Sequence, residues 1–442
     1  MLTRIEIDGF KTFENFSLDL RPLTAIVGPN ASGKSNLFDA LRFLSRLAQD
    51  DVRTAMQDMR GEPEELFRMT PAGNSDSMTF AVEVFISKRG VDAVGKKYEI
   101  KAQRLRYEVK LQLVKNSEGT PKSVFIRHER CIPIDSGKKH DKLFDGQKIS
   151  YKTKLPFIDL NETKDAIKLR QDGPNKHGNP VTIPLSHTSR TALSTITTSE
   201  FPHLYALRSV LMNLRFLEIV PKAARAVNDR FENTVMKPDA SNLASVLVHL
   251  KETTKSPDRP NGVLSEIVAD LAFLIPSVST LEVHDDPKQR QFSFSLGFSG
   301  QQLFSSRVIS DGTLRLLALL AILNDPNRKG TLCFEEPENG IHEGRVPMLV
   351  DLLRNAAQIS FEDDQPSFQI LLNSHSPIVM AALKDDELVS AESVVTIDPK
   401  KHSRSTQTRM RVYSEPGNLF NPEKHLTRSE IKRLLQMPSD AA

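Results

Sequence analysis

The string Gly28-Pro29-Asn30-Ala31-Ser32-Gly33-Lys34-Ser35 reads G-x-x-x-x-G-K-S, and few patterns of eight residues restrict a fold so strongly. Before it lies Leu23-Thr24-Ala25-Ile26-Val27, a short apolar run of strand type. After it comes Asn36-Leu37-Phe38-Asp39-Ala40-Leu41-Arg42-Phe43-Leu44, whose apolar residues recur at helical spacing. Strand, loop and helix in that order are what a phosphate-binding loop requires. Its glycines let successive backbone N–H groups converge on phosphates at a helix start, where the helix dipole already favours negative charge. Asn30, Ser32 and Gly33 are then candidate phosphate contacts, Lys34 adds a point charge, and Ser35 offers a hydroxyl ligand to Mg²⁺.

Such a loop needs a carboxylate partner. Thr331-Leu332-Cys333-Phe334-Glu335-Glu336-Pro337-Glu338 supplies one: an apolar run ends abruptly in acids, as a buried parallel strand opening onto a site would. Glu335 is placed to hold Mg²⁺ and Glu336 to take a proton from an attacking water; the plainer alternative is a strand followed by an acidic surface turn. Val308-Ile309-Ser310-Asp311-Gly312-Thr313-Leu314-Arg315 leads small polar residues into an apolar helix. Ser310 or Asp311 as a helix cap explains part of it, but a helix start with small residues also suits an anion delivered by a second subunit. Gln369-Ile370-Leu371-Leu372-Asn373-Ser374-His375-Ser376-Pro377 is another apolar strand, with a His just past its end.

The chain has 442 residues, 39% hydrophobic and 26% charged, which describes an ordinary globular protein of two or three lobes. No apolar stretch approaches the roughly 20 residues of a spanning helix, and the opening Met1-Leu2-Thr3-Arg4-Ile5-Glu6 enters a strand pattern at once, so we expect no signal peptide, no membrane and a cytoplasmic location. Cys131 and Cys333 form neither a CxxC pair nor a disulfide framework. Net charge is only +3, yet residues 96–154 hold sixteen Lys/Arg against seven Asp/Glu. That stretch reads equally as a face for nucleic acid or an acidic protein and as a solvated basic surface.

Strand patterns run from Leu2 to Ile7, Phe16 to Leu20, Met78 to Ile86 and Tyr107 to Leu113, giving an N-terminal half-sheet. Residues 114–200 lose periodicity and gather Gly, Pro, Lys and Asn, the composition of an insertion with long loops. Helical spacing returns at His203 to Leu217 and at Asn242 to Leu250, and strands at Leu281 to Val283 and Phe292 to Phe298. The predicted division is 1–113 and 201–400 as two parts of one head, 114–200 as an insertion of unknown fold, and 401–442 as a C-terminal tail.

In combination and order, the phosphate loop, Ser310-Asp311-Gly312-Thr313, the run through Glu335-Glu336-Pro337-Glu338-Asn339-Gly340, and Ser374-His375-Ser376-Pro377 resemble the ATP-binding-cassette ATPases of the SMC, Rad50 and RecF kind. They are more similar still to the bacterial AAA-21 and AAA-15 ATPases. The resemblance implies an α/β head with an N-terminal mixed half-sheet and a helical lobe. It implies a head-to-tail homodimer, with larger assemblies open, that sandwiches two ATP and Mg²⁺. In that carry-over Lys34 and Ser35 hold phosphates and metal, Glu335 is the Walker B acid, Glu336 the hydrolytic base, Ser310 and Gly312 reach across to the partner, and His375 senses the γ-phosphate. Glu335 stands where Asp is usual, Glu343 where Pro is common, and Ser-Asp-Gly-Thr replaces the transporter signature, which implies slow turnover and no transport.

Neither a long coiled coil nor a CxxC hook is present, and only 67 residues follow His375, so we expect no chromosome tether and no TOPRIM nuclease domain. What remains is an ATPase similar to the partner subunits of Septu, PARIS or retron defence systems, holding a separate effector such as a nuclease or toxin. A RecF-like DNA repair ATPase and an ATP-dependent scaffold with little hydrolysis stay open, and with them nucleic acid as a partner.

Overall fold

The computed structural model describes the chain apart from residues 71–72, 118–119, 136–141, 162–165, 174–180, 185–187, 362–366, 399–402, 414–420, 423 and 437–442. Residues 174–180, part of the segment expected to carry long loops, thus lie outside the described residues.

Apolar runs buried on both faces build the central sheet. Its seven strands lie in the order Leu214–Leu217, Gly330–Glu335, Phe368–Ser374, Leu23–Val27, Leu388–Asp398, Ser403–Tyr413 and His425–Leu426. The first five run parallel. Every residue of Leu23–Val27 and of Phe368–Ser374 is buried, as strands covered on both sides must be. Ile26, Cys333 and Leu371 point into one core and Ala25, Val27, Leu332, Phe334, Ile370 and Leu372 into a second, so period-two alternation assigns each side chain its face.

The first core lies beneath an antiparallel sheet of eight strands, ordered Val181–Pro184, Ala166–Leu169, Ile158–Asn161, Pro121–Pro133, Arg104–Lys115, Ser77–Phe85, Leu2–Asp8 and Phe16–Asp19. Helix Lys34–Leu47 shares this core through Leu37, Phe38, Leu41 and Phe43. The second core joins the other face of the parallel sheet to helices Leu243–Thr254, Leu264–Leu274, Asp311–Leu323 and Val346–Ala356 and to the hairpin Val278–Asp286/Gln291–Phe298.

Three expectations need correction in position. The segment 114–200 does not stand apart: its described strands extend the N-terminal half-sheet, with Cys131, Ile158, Ile167 and Leu169 in the shared core. The helix expected over His203 to Leu217 spans Pro202–Met212 only, because Leu214–Leu217 pairs in parallel with Gly330–Glu335 as the edge strand of the central sheet. Residues 403–413, assigned to a tail, form a full strand against Leu388–Asp398.

The basic stretch meets its own counter-charges. Arg106 lies between Glu6, Glu83 and Glu108, Arg104 faces Glu83, Lys115 faces Asp76 and Arg130 faces Asp159. Pairing of this kind offsets Arg104, Arg106, Lys115 and Arg130 among the cations of the stretch. Among the described residues no helix is long and apolar enough to cross a membrane.

Candidate nucleotide site

The phosphate loop leaves the carboxyl end of Leu23–Val27 between two parallel neighbours, the topological position where open α/β sheets bind ligands. The Gly28 N–H donates to the Ser374 carbonyl at 3.3 Å, tying the loop to the strand that precedes His375. Ala31 and Gly33 take left-handed backbone angles, φ 63° and 87°, and so turn loop N–H groups inward ahead of the helix. A Cβ on Gly33 would sit 1.8 Å from Thr408 Oγ1, and one on Gly28 would sit 2.2 Å from the Ala391 carbonyl oxygen. The C-terminal hairpin is thus the bed on which the loop rests.

Lys34 is buried, and its ammonium donates to the carbonyls of Gly28 at 2.7 Å and Pro29 at 2.6 Å. Burial pulls its pKa below the ordinary lysine value, while Glu336, Glu335 and Glu338 pull the other way. Ser32 Oγ is buried with no hydrogen-bond partner, a polar atom aligned with the loop and still to be satisfied, whereas Asn30 is exposed. Ser35 Oγ lies 3.4 Å from Glu335 Oε2, so the two hard-oxygen donors expected for Mg²⁺ meet. Among the described residues no cluster of three or more His, Cys, Asp or Glu would cage a metal. The Ser35–Glu335 pair suits Mg²⁺, which keeps waters and takes one or two protein oxygens beside substrate phosphates.

Glu336 follows directly and holds φ 49°, a left-handed conformation uncommon for a residue with a Cβ. Its N–H donates to the Asn373 carbonyl at 3.0 Å, which fixes the turn. Its carboxylate is held at both oxygens, with Oε1 3.0 Å from His375 Nδ1 and Oε2 accepting from Asn339 Nδ2 at 2.6 Å. Glu338 accepts from the Ser374 hydroxyl, its other oxygen is buried without a partner, and burial raises its pKa.

Several participants escaped the sequence reading. Asn339 and Glu338 were visible only as parts of a longer motif, and Thr408 lay in the supposed tail. Asp39, buried on helix Lys34–Leu47, binds Lys11 Nζ at 2.7 Å and Arg60 Nη2 at 3.2 Å, and the same Arg60 nitrogen is 4.0 Å from Glu335 Oε1. An acid on the apolar face of that helix was the signal available for this cation pair.

The structure brings Lys34, Ser35, Glu335, Glu336 and His375 together. Ser310 and Gly312 are placed elsewhere within the chain. Ser310 caps helix Asp311–Leu323, accepting from the Thr313 N–H at 3.2 Å, and Asp311 pairs with Arg225. Gly312 packs on Gly340, where an added Cβ would come within 2.8 Å of the Gly340 carbonyl oxygen.

A family model described as "AAA domain, putative AbiEii toxin, Type IV TA system" matches residues 23–381. Over 198 residues the chain is 24% identical to the DNA replication and repair protein RecF of Lactococcus lactis subsp. cremoris, covering 41% of this chain and 52% of that one. Over 44 residues it is 54% identical to the chromosome partition protein Smc of Methanocaldococcus jannaschii, covering 10% of this chain and 4% of that one. The chain thus spans about half the length of the first and a small fraction of the second. Among solved structures, the Smc head bound to the C-winged helix domain of ScpA superposes with a TM-score of 0.50 at 13% identity, covering 93% of this chain and 98% of that chain, a likeness of fold.

Proposed function

The chain belongs to the AAA-domain family whose model spans residues 23–381, and from that membership we propose that it binds ATP with Mg²⁺, closes into a homodimer around it, hydrolyses it slowly and thereby controls a separate effector in anti-phage defence. The observation that carries the reading is the convergence of Ser35, Glu335, Glu336 and His375, drawn from three strands, at one end of the central sheet. In this reading Lys34 and the loop N–H groups bind the phosphates, and Ser35 and Glu335 hold the metal, which supplies charge neutralisation on the triphosphate. Glu336 accepts the proton of the attacking water. Asn339 and His375 hold its carboxylate in place for that proton, and the His375 ring sits beside it to register the terminal phosphate.

Ser310 and Gly312 meet the nucleotide from the opposite copy, at a helix start presenting N–H groups. The family description, with its toxin vocabulary, supports an effector-linked role over a transport role. The RecF similarity favours a second reading as a DNA repair ATPase, in which cations left over on the outer sheet contact duplex phosphates.

A Glu336→Gln variant tests the mechanism: phosphate release should fall by about 10²–10⁴-fold while ATP binding persists and dimers accumulate in light scattering. Unchanged turnover would remove Glu336 as the base and favour the scaffold reading. Salt-sensitive DNA binding by the chain alone, unmoved by ATP, would favour repair.

A further inference from the structure

A cavity of about 480 Å³ opens between the far half of helix Lys34–Leu47, the edge strand Leu214–Leu217 and residues 235–238. Its charge is one-sided: Arg42, Arg46, Arg215, Lys237 and Lys329 line it, and no Asp or Glu does. Three of these are balanced from outside, Arg42 by Glu218, Arg46 by Asp50 and Asp58, and Lys237 by Glu232. The side chains of Arg215 and Lys329 have no hydrogen bond or ion pair among the described residues, and Arg215 has only the more distant attraction of Asp325 against a burial that lowers its pKa. Arg42 Nε is also buried without a partner, while its guanidinium lies 4.8 Å over the Phe216 ring. A half-buried cation held without a carboxylate is costly unless something anionic meets it.

We propose that this cavity is a second ligand site, taking a small phosphomonoester that carries an apolar body of nucleoside size. Arg215, offset only by the more distant Asp325, and the exposed Lys329 together match a phosphate carrying about −1.5 to −2 charge at neutral pH. The volume lies within the about 300–1,000 Å³ usual for small-molecule sites, and Met212, Leu214 and Ile322 give the apolar wall such a body needs. The site is separate from the phosphate loop, since Arg42 stands eight residues, about 12 Å, along the helix from Lys34. It nevertheless touches the elements that carry the nucleotide motifs: Arg42 on the loop's helix, Leu332 on the strand ending at Glu335, and Ile322 on the helix that Ser310 caps.

The test is calorimetric titration of the full chain with AMP as the phosphomonoester and adenosine as the same body without charge. AMP should bind the native chain and Lys34→Ala alike, and adenosine about tenfold or more weakly. Arg215→Ala/Lys329→Ala should lose about tenfold or more in AMP affinity, while Arg215→Lys/Lys329→Arg retains it. Lys329→Gln, a change at an exposed side chain whose circular dichroism should match that of the native chain, should weaken AMP binding by itself. AMP binding abolished by Lys34→Ala, equal affinity for AMP and adenosine, unchanged affinity in Lys329→Gln, or no AMP binding at millimolar concentration would each overturn the proposal.

Discussion

Two helix starts in this chain look alike in sequence and differ in what they leave unsatisfied. At Lys34 the loop ahead of the helix has an unpartnered buried hydroxyl on Ser32, no side-chain cap, and a lysine folded onto its own carbonyls. At Asp311 the cap is made, the first acid is paired with Arg225, and the glycine is packed against backbone. The first is an incomplete cradle, the second a finished helix end. A third case lies against the outer sheet, where the N–H groups of Ala192 and Leu193, at the start of the 3-10 turn Leu193–Thr195, bind the buried Glu129 carboxyl at 2.6 Å and 2.9 Å, with the Tyr107 hydroxyl donating at 3.0 Å. There an internal acid already occupies the anion position. A helix start thus shows an anion site within its own chain by the side chains it leaves unsatisfied, while a contact made from another copy, as proposed for Ser310 and Gly312, rests on the first backbone N–H groups alone.

The largest effect expected concerns the incomplete cradle: Lys34→Ala should weaken ATP binding by about 10²-fold or more in calorimetry, since a buried charge-assisted contact is lost. ATP affinity within a few-fold of native would erase the distinction drawn between the two helix starts.

Next comes the internal anion. Burial raises the Glu129 pKa to about 7 from 4.5, so the folded state binds its proton more strongly than the unfolded chain does. Its contribution to stability is fully present below about pH 4.5 and is lost as pH rises through about 7. Glu129→Gln should flatten that part of a melting-temperature profile, and an unaltered slope would mean that Glu129 is charged in the fold at neutral pH.

Smaller is Gly340→Ala, which sets a Cβ within 2.7 Å of the Gly312 Cα at φ 90°. It should lower stability by about 1–3 kcal/mol in denaturant unfolding.

Smallest in stability and sharpest for the comparison is the pair Ser310→Ala and Ser310→Asp. Alanine removes the cap and should lower stability by about 1 kcal/mol, whereas aspartate keeps a capping oxygen and near-native stability. If the helix start faces a partner's nucleotide, Ser310→Asp should nevertheless abolish ATP-driven dimerisation in light scattering, by placing a carboxylate against phosphate. Intact dimerisation would confine Ser310 to capping.

What was legible in the sequence follows from burial. Leu23–Val27, Gly330–Glu335 and Phe368–Ser374 are central parallel strands, so each reads as an apolar run ending at a polar residue, and the loop, the acids and His375 could be located. The edge strand Leu214–Leu217 was read into the preceding helix because only a short turn separates them. The outer strands alternate apolar residues with Arg, Lys and Glu whose partners come from distant segments, such as Arg106 with Glu6, so the stretch read as basic while the folded surface is mixed. Arg60 reaches Asp39 from the turn after helix Val52–Gln57, a return that no local pattern marks. Thr408 meets the loop through the space that Gly33 leaves, which no local pattern reports.

The contact between Gly312 and Gly340 has one more consequence. With hydrogen alone on each α-carbon, the loop after Glu336 and the tip of the helix that Ser310 caps behave as two gear teeth in mesh. In the proposed dimer, a shift of the loop after Glu336 would press on the helix start which that copy turns to its neighbour, through a single backbone joint with no relay of side chains between.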